Sequence, residues 1–99
     1  MADYLLVELA KGPGWDHARP RREQDGWDEH AAFMDSLVED GFIMLGGPVG
    51  EVEGERTMHV VTDTDEAAVR ARFAADPWAP DKLVVHDVRA WHVWLRRQR

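Results

Sequence analysis

The first regular pattern along the chain is an apolar run over residues 4–10, which predicts a β-strand. Alternation places apolar side chains on both faces of this strand. One face carries Tyr4, Leu6 and Glu8, and the other carries Leu5, Val7 and Leu9. A strand of this kind belongs in a sheet that is covered on both sides.

A helical pattern follows after a long connection. Apolar, aromatic and histidine positions recur at helical spacing, which predicts a helix from Glu23 or Asp25 to Asp40. The recurring positions are Trp27, His30, Ala31, Met34, Leu37 and Val38. Gly41 stands where a left-handed C-cap is expected. The connection before the helix, residues 11–22, is longer than the usual ~4–6 residues, and long ordered loops are often functional.

The second half of the chain predicts three more strands and one more helix. Residues 42–45 and 57–62 are strand patterns joined by a glycine-containing hairpin. A helix is expected over about 64–75, with Thr64 as its N-cap, and Asp76-Pro77 ends it. The last strand is expected over about 83–95.

The resulting order, β-α-β-β-α-β, predicts an α+β ferredoxin-like fold with a four-stranded antiparallel sheet and two helices on one face. The chain of 99 residues fits one domain, residues 1–99. Two helices cover only one face of such a sheet, yet its first and last strands are apolar on both faces. We therefore expect a homodimer in which the second faces pack together. Trp91 and Trp94 fall on opposite faces of the last strand, so one is expected in the core and the other at the interface.

Composition narrows the classes of function. Apolar residues make up 44% and charged residues 31%, which is typical of a globular domain. The net charge of −7 disfavours nucleic acid as a partner. The absence of cysteine excludes disulfides, thiol nucleophiles and thiolate metal sites. Neither a signal peptide nor an apolar run of the roughly 20 residues that a membrane span requires is present, so no membrane association and a cytoplasmic location are expected.

No metal or cofactor is expected. The five histidines include no helical i, i+4 pair and no HExxH motif. The glycines of residues 46–50 lead into a hairpin and not into a helix N-terminus, where a phosphate loop would need to be.

His30 is the first candidate for chemistry because it lies in the apolar stripe of the first helix. Burial lowers the pKa of a histidine and a nearby carboxylate raises it, and a general base needs this balance. Asp76 is the carboxylate to expect near it, since both helices pack on the same face of the sheet. The alternative is a core histidine satisfied by backbone or water, with Asp76 as a turn residue shaped by Pro77.

The long loop supplies candidates for ligand binding. Arginines beside an indole can hold a planar anion by bidentate hydrogen bonds and stacking, which makes Trp15, Arg19 and Arg21 candidate substrate-binding residues. Trp78 is a candidate wall of the same pocket. The alternative is a solvated loop pinned by Trp15, with Trp78 packed on the helix layer.

Several landmarks of the chain resemble the YciI-like (YCII-related) family. The resemblance covers nearly the whole chain, in the family's order. The landmarks are His30-Ala31-Ala32-Phe33-Met34, Gly41, Gly47-Pro48, Asp76-Pro77-Trp78 and Val88-Arg89-Ala90-Trp91. The segments Gly12-Pro13-Gly14-Trp15-Asp16 and Gln24-Asp25-Gly26-Trp27 are similar to a subgroup with an extended first connection.

The resemblance implies a ferredoxin-like fold paired into a dimeric α+β barrel. It also implies a His–Asp dyad, in which His30 matches the helix histidine and Asp76 the aspartate before proline. One branch of the family is a dehydrochlorinase of chlorinated hydroxyquinones, and other members are fused to sigma-factor-like regions.

Two hypotheses about function follow. In the first, the chain is a cofactor-free lyase or isomerase, in which His30, oriented by Asp76, abstracts a proton from a small aromatic or enol-like anion. Arg19 or Arg21 would hold the anion, and Trp15 or Trp78 would stack on its ring. In the second, the dimer is a non-catalytic metabolite-binding or regulatory module.

Overall fold

A computed structural model describes residues 3–97 of the chain. The elements follow the predicted order, with one additional 3₁₀ turn at Arg21–Glu23 in the long loop. They are β1 (Tyr4–Lys11), α1 (Trp27–Glu39), β2 (Ile43–Pro48), β3 (Arg56–Val61), α2 (Glu66–Ala74) and β4 (Leu83–Trp91).

The four strands form one antiparallel sheet in the order β2-β3-β1-β4. This order and the two helices give the ferredoxin-like βαββαβ arrangement, so the predicted fold class is confirmed. No helix within residues 3–97 has both the length and the apolar character needed to cross a membrane.

One face of the sheet, called the covered face here, packs against the helices. In register, Val7 of β1 lies opposite His59 of β3, and Leu9 lies opposite Thr57, so these four residues share the covered face. The core between this face and the helices includes two tryptophans from loops as well as aliphatic side chains. Its buried members are Val7, Leu9, Trp15, Leu37, Phe42, Ile43, Val61, Val69, Phe73, Trp78 and Leu83.

The opposite, open face of the sheet mixes apolar and charged side chains. Glu8 at its centre accepts a hydrogen bond of 2.9 Å from Arg56 and lies 4.0 Å from Arg89. Leu45 and Trp91, near the two edges of this face, are 64% and 42% exposed. The alternation predicted for β1 is therefore confirmed, and the open face carries exposed apolar surface in the single chain.

The last strand is shorter than predicted. β4 ends at Trp91, which pairs with Tyr4, the first residue of β1. Trp94 and Leu95 follow outside the sheet and are 90% and 94% exposed. The expectation that Trp91 or Trp94 packs in the core was wrong.

The helix ends also differ from the prediction by a few residues. α1 begins at Trp27 because Gly26 has a φ of +79°, a left-handed conformation that interrupts any earlier helix. α2 is capped by Asp65 and not by Thr64: the Asp65 carboxylate accepts a hydrogen bond of 2.8 Å from the amide of Ala68.

Candidate active site

His30 and Asp76 form a buried pair between the two helices. The Nδ1 atom of His30 lies 3.0 Å from Oδ1 and 2.8 Å from Oδ2 of Asp76. Both residues are almost fully buried, at 6% and 4% exposure. A carboxylate in such contact accepts the Nδ1 proton, so it fixes both the ring orientation and the tautomer of the histidine.

Local structure holds Asp76 in place. It follows α2 in the turn that Pro77 imposes, and its Oδ1 atom also accepts a hydrogen bond of 2.9 Å from the amide of Trp78. His30 lies in the first turn of α1, where its amide donates to the carbonyl of Gly26 at 3.0 Å. Each partner is thus anchored by its own backbone, and the pair joins α1 to the loop after α2.

Aromatic rings surround the imidazole. Trp78 stacks on His30 with a centroid distance of 3.9 Å and an interplanar angle of 6°. The Nε1–H group of Trp78 donates to the carbonyl of Asp25 at 2.8 Å, which fixes the indole. Trp27 lies tilted against His30 at 5.7 Å, and Trp15 meets Trp78 edge-on at 5.5 Å. The histidine therefore has very little rotational freedom.

The second nitrogen of His30 is available. Within residues 3–97, no group is hydrogen-bonded to Nε2 of His30. With the proton held on Nδ1 by Asp76, Nε2 carries the lone pair. An oriented imidazole with a free Nε2 is the arrangement of a general base.

A second buried histidine, His59, lies on the covered face of the sheet and was not among the predicted site residues. It is 6% exposed, and its ring lies 5.7 Å from that of Phe73. Burial lowers the pKa of His59 to about 4, and a backbone hydrogen bond with Val7 opposes this shift. The charge of Arg21, and that of His30 whenever His30 is protonated, lowers the pKa further. At neutral pH the ring is therefore uncharged, and its buried Nδ1 atom has no hydrogen-bond partner within residues 3–97.

The sequence does contain a signal for the position of His59. Side chains alternate along β3, so His59 lies on the same face as Thr57 and Val61, which is the covered face. Gly46 of β2 makes room for its ring. A Cβ atom at Gly46 would lie 2.5 Å from Cδ2 of His59, closer than any normal contact.

The two candidate arginines have different surroundings. Arg19 is occupied by acidic neighbours, since its side chain lies 3.6 Å from Asp16 and 3.0 Å from Asp25. Arg21 stacks over the Trp15 ring at 5.0 Å and forms no ion pair within residues 3–97. The buried Nε atoms of both arginines have no hydrogen-bond partner within these residues. Burial lowers the pKa of Arg21 and the charge of Glu53 opposes this, but a guanidinium stays protonated at neutral pH.

The long loop is ordered by buried polar contacts. The Gln24 side chain is buried and makes three hydrogen bonds, two donated to the carbonyls of Asp16 and Arg19 at 2.7 and 2.9 Å and one accepted from the amide of Asp16 at 3.0 Å. Glu53 of the β2–β3 hairpin accepts from the amide of Arg21 at 2.8 Å. These contacts hold the loop in one conformation.

The predicted site residues fall into two groups. His30, Asp76, Trp78 and Trp15 form one contiguous buried cluster, with Arg21 on the outer side of Trp15. Arg19 lies apart from His30 and lines, with Trp15, a surface cleft of about 290 Å³. Trp15 and Trp78 are core residues, at 5% and 2% exposure, which agrees with the alternative in which Trp15 pins the loop and Trp78 packs on the helix layer.

Residues 3–97 contain no cluster of three or more histidine, aspartate or glutamate side chains able to hold a metal ion. No protein-family model, curated protein or solved structure matches the chain. Function is therefore inferred from the geometry of the site and from the sequence landmarks.

Proposed function

We propose that the chain is a cofactor-free enzyme in which His30, oriented by Asp76, removes a proton from a small aromatic or enol-like anion. One observation carries this proposal: Nδ1 of His30 contacts both oxygens of a buried carboxylate, while Nε2 has no protein partner in residues 3–97. The resemblance of the landmarks around both residues to the YciI-like family supports the same assignment.

The chemistry follows from the tautomer. Nε2 of His30 takes a proton from a carbon next to the substrate's carbonyl group, and the imidazolium that forms is stabilised by the Asp76 carboxylate. If the proton returns to a different atom of the substrate, the reaction is an isomerisation. If the electron pair instead expels a leaving group such as halide, it is an elimination.

Arg21 is the better candidate than Arg19 for holding the anion. Arg19 already has two carboxylate partners, Asp16 and Asp25, whereas Arg21 forms no ion pair within residues 3–97. A free guanidinium can bind a carboxylate or phenolate through two parallel hydrogen bonds. Trp15 stacks on Arg21 and Trp78 on His30, so in this proposal the two indoles position the binding groups and the base.

We also propose that the chain works as a homodimer that pairs through the open face of the sheet. The exposed apolar side chains of Leu45 and Trp91 flank the charged group around Glu8 on this face. Packing against a second copy would bury them and let the charged side chains meet complementary ones. The dimeric α+β barrel implied by the YciI-like resemblance has this pairing.

A non-catalytic ligand-binding module is the second candidate. The observation that favours it is the pair of buried Nε atoms on Arg19 and Arg21 that have no hydrogen-bond partner within residues 3–97, since guanidinium groups suit the binding of an anion whether or not a reaction follows. In that case His30 and Asp76 serve to join α1 to the loop after α2.

A substrate screen with matched variants tests the enzymatic proposal. The wild type is incubated with small aromatic and enolic acids, including chlorinated hydroxyquinones, and products and released halide are followed by NMR and ion chromatography. For any acid that is turned over, His30→Gln and Asp76→Asn are expected to lower kcat by about 10²- to 10⁴-fold. The exposed His86 on β4 provides the control, so His86→Gln should retain full activity.

Equal turnover by the wild type and by His30→Gln would refute the enzymatic proposal. Binding of these acids that needs Arg21, without turnover of any of them and with unchanged affinity in His30→Gln, would favour the binding module.

A further inference from the structure

The segment after β4, residues 92–97, is called the β4 extension here, and two contacts hold it against the start of β1. The amide of Val93 donates a hydrogen bond of 2.8 Å to the carboxylate of Asp3. Arg96 donates to the hydroxyl of Tyr4, and its guanidinium lies 5.5 Å from the centre of the Tyr4 ring. The β4 extension is therefore fixed to the sheet although it belongs to no strand.

Between these two contacts, the β4 extension presents apolar side chains and positive charge to solvent. Trp94 and Leu95 are almost fully exposed, and residues 91–95 line a hollow of about 300 Å³. Residues 92–99 contain three arginines and no acidic residue, in a chain of net charge −7. Exposed tryptophan beside arginine is typical of an interface, and a partner that fits this one is apolar and acidic.

The β2–β3 hairpin, residues 49–55, has this complementary chemistry. It contains three glutamates and no basic residue. Val49 and Val52 are 62% and 70% exposed, which leaves apolar surface between the glutamates. Glu51 and Glu55 are exposed and form no ion pair within residues 3–97.

The cationic neighbours of the hairpin on its own chain contact Glu53. Lys11 donates a hydrogen bond of 2.9 Å to the carbonyl of Glu53, and the Glu53 carboxylate accepts from the amide of Arg21. Glu51 and Glu55 therefore remain the glutamates that a basic partner can reach.

Within one chain, the β4 extension and the hairpin lie at opposite ends of the sheet. The extension contacts Tyr4, at the first end of β1. The hairpin precedes Arg56, which pairs with Ala10 near the other end of β1. Six residues of strand at ~3.3 Å each separate Tyr4 from Ala10 by about 20 Å. The two surfaces can therefore meet only between different molecules.

A two-fold axis brings them together. When the open faces of two copies pack, an axis that runs across the strands places the Tyr4 end of one sheet over the hairpin end of the other. Val93 and Arg96 line one hollow with Met44 of β2, so the β4 extension crosses from β4 toward the side of β2 and β3. The hairpin of the second copy arrives on that side, and symmetry repeats the contact.

We propose that the β4 extension of one copy docks on the β2–β3 hairpin of a second copy. Trp94 and Leu95 pack on the exposed valines of the hairpin, and Arg97 pairs with its glutamates. This proposal rests on the proposed homodimer and is independent of the reaction assigned to His30. The alternative occupant is an anionic membrane surface, which the net charge of −7 disfavours.

Cross-linking tests the contact directly, because the chain contains no cysteine of its own. Leu95→Cys and Val52→Cys are combined in one chain, which is treated with a short bis-maleimide at low protein concentration. The matched control combines Leu95→Cys with Glu29→Cys, at an exposed position of α1 on the other side of the sheet. A covalent dimer should form about tenfold or more faster in the first pair, because contact raises the effective concentration of the thiols.

The dissociation constant of the dimer tests the chemistry of the contact. In sedimentation equilibrium, Trp94→Ala should weaken the dimer about tenfold or more, because buried aromatic side chains dominate interface energies. Val38→Ala, at an exposed apolar position of α1, is the control and should leave the dissociation constant unchanged. Arg97→Glu should also weaken the dimer, and adding Glu51→Lys should restore part of the loss. All four residues are exposed, so these variants should fold.

Equal cross-linking of the test and control pairs, or an unchanged dimer in Trp94→Ala, would overturn the proposal. A monomeric wild type would overturn it together with the proposed homodimer. Without cross-linking of the test pair, binding of the wild type to vesicles of anionic lipid that Trp94→Ala loses would assign the β4 extension to a membrane surface instead. A dimer that Leu45→Arg disrupts and Trp94→Ala leaves intact would keep the open-face homodimer and refute only the docking of the β4 extension.

Discussion

Asp76 meets Nδ1 of His30 with both carboxylate oxygens, at 3.0 and 2.8 Å, across 46 positions of sequence. Trp78, two residues after Asp76, covers the face of the same imidazole. One short turn thus supplies both the carboxylate that sets the tautomer and the indole that holds the ring. The fold fixes His30 in one orientation and leaves Nε2 as its only free nitrogen.

Gly46→Ala is expected to destabilise the chain because its methyl group would lie 2.5 Å from Cδ2 of His59. The free energy of unfolding should fall by about 1–3 kcal/mol, the usual cost of forcing extra volume into a packed site. Gly47→Ala is the matched control, because a Cβ atom there has no neighbour within 4 Å. Chemical denaturation measures both. Equal unfolding midpoints for the two variants would mean that the ring of His59 does not lie against Gly46.

His59 should make stability fall as the pH drops. Its pKa is about 4 in the folded chain and near the ordinary 6.5 in the unfolded chain, so the unfolded state binds more protons between these values. The free energy of unfolding therefore decreases from pH 6.5 to pH 4, with about 3 kcal/mol as the upper size of this effect. Denaturation at several pH values measures how the free energy of unfolding depends on pH. This dependence should be weaker in His59→Gln than in the wild type, and it should be the same in His86→Gln as in the wild type. If the free energy of unfolding of His59→Gln depends on pH as strongly as that of the wild type, His59 is not the cause of the loss of stability.

Gln24→Glu is expected to loosen the long loop. The amide group of Gln24 donates to the carbonyls of Asp16 and Arg19, and a carboxylate oxygen in its place would face them as a second acceptor. The loss should be about 2 kcal/mol or more, since buried carbonyls lose their donors and a charge is buried. Denaturation of Gln24→Glu is compared with that of Glu23→Gln, a change at the exposed neighbour. If both variants unfold at the same denaturant concentration, Gln24 does not order the loop.

Leu45→Arg should convert the proposed dimer into a monomer. Leu45 is 64% exposed on the open face, so the change costs the single chain little but would place a charge in the dimer interface. Val38→Arg is the control, because Val38 is similarly exposed at 53% but lies on α1. Size-exclusion chromatography with light scattering is expected to give a dimer for the wild type and Val38→Arg, and a monomer for Leu45→Arg. A monomeric wild type would exclude this dimer.

Much of this arrangement could be predicted from local patterns. The alternation in β1 and the helical stripe containing His30 specify which face each residue joins, because the burial of one face fixes the phase of a strand or helix. The Asp76-Pro77 dipeptide predicted the end of α2 for a local steric reason. These features depend on neighbours close in sequence.

Other features depend on contacts between residues that are distant in sequence, so local patterns could not predict them. The end of β4 at Trp91 follows from its pairing with Tyr4, where β1 begins, and not from the pattern of residues 83–95. Arg19 and Arg21 have similar neighbours in the sequence. Only the folded loop shows that Arg19 forms ion pairs with Asp16 and Asp25.

The central claim is that Nε2 of His30 removes a proton from a bound acid, and solvent deuterium exchange tests it most directly. Small aromatic and enolic acids are incubated with the protein in D₂O, and the loss of their acidic C–H signals is followed by ¹H NMR. The wild type should exchange the C–H proton of at least one such acid, with a rate reduced by about 10²-fold or more in His30→Gln and Asp76→Asn and unchanged in His86→Gln. Exchange by His30→Gln at the wild-type rate, or none by the wild type with acids that it binds, would contradict the claim.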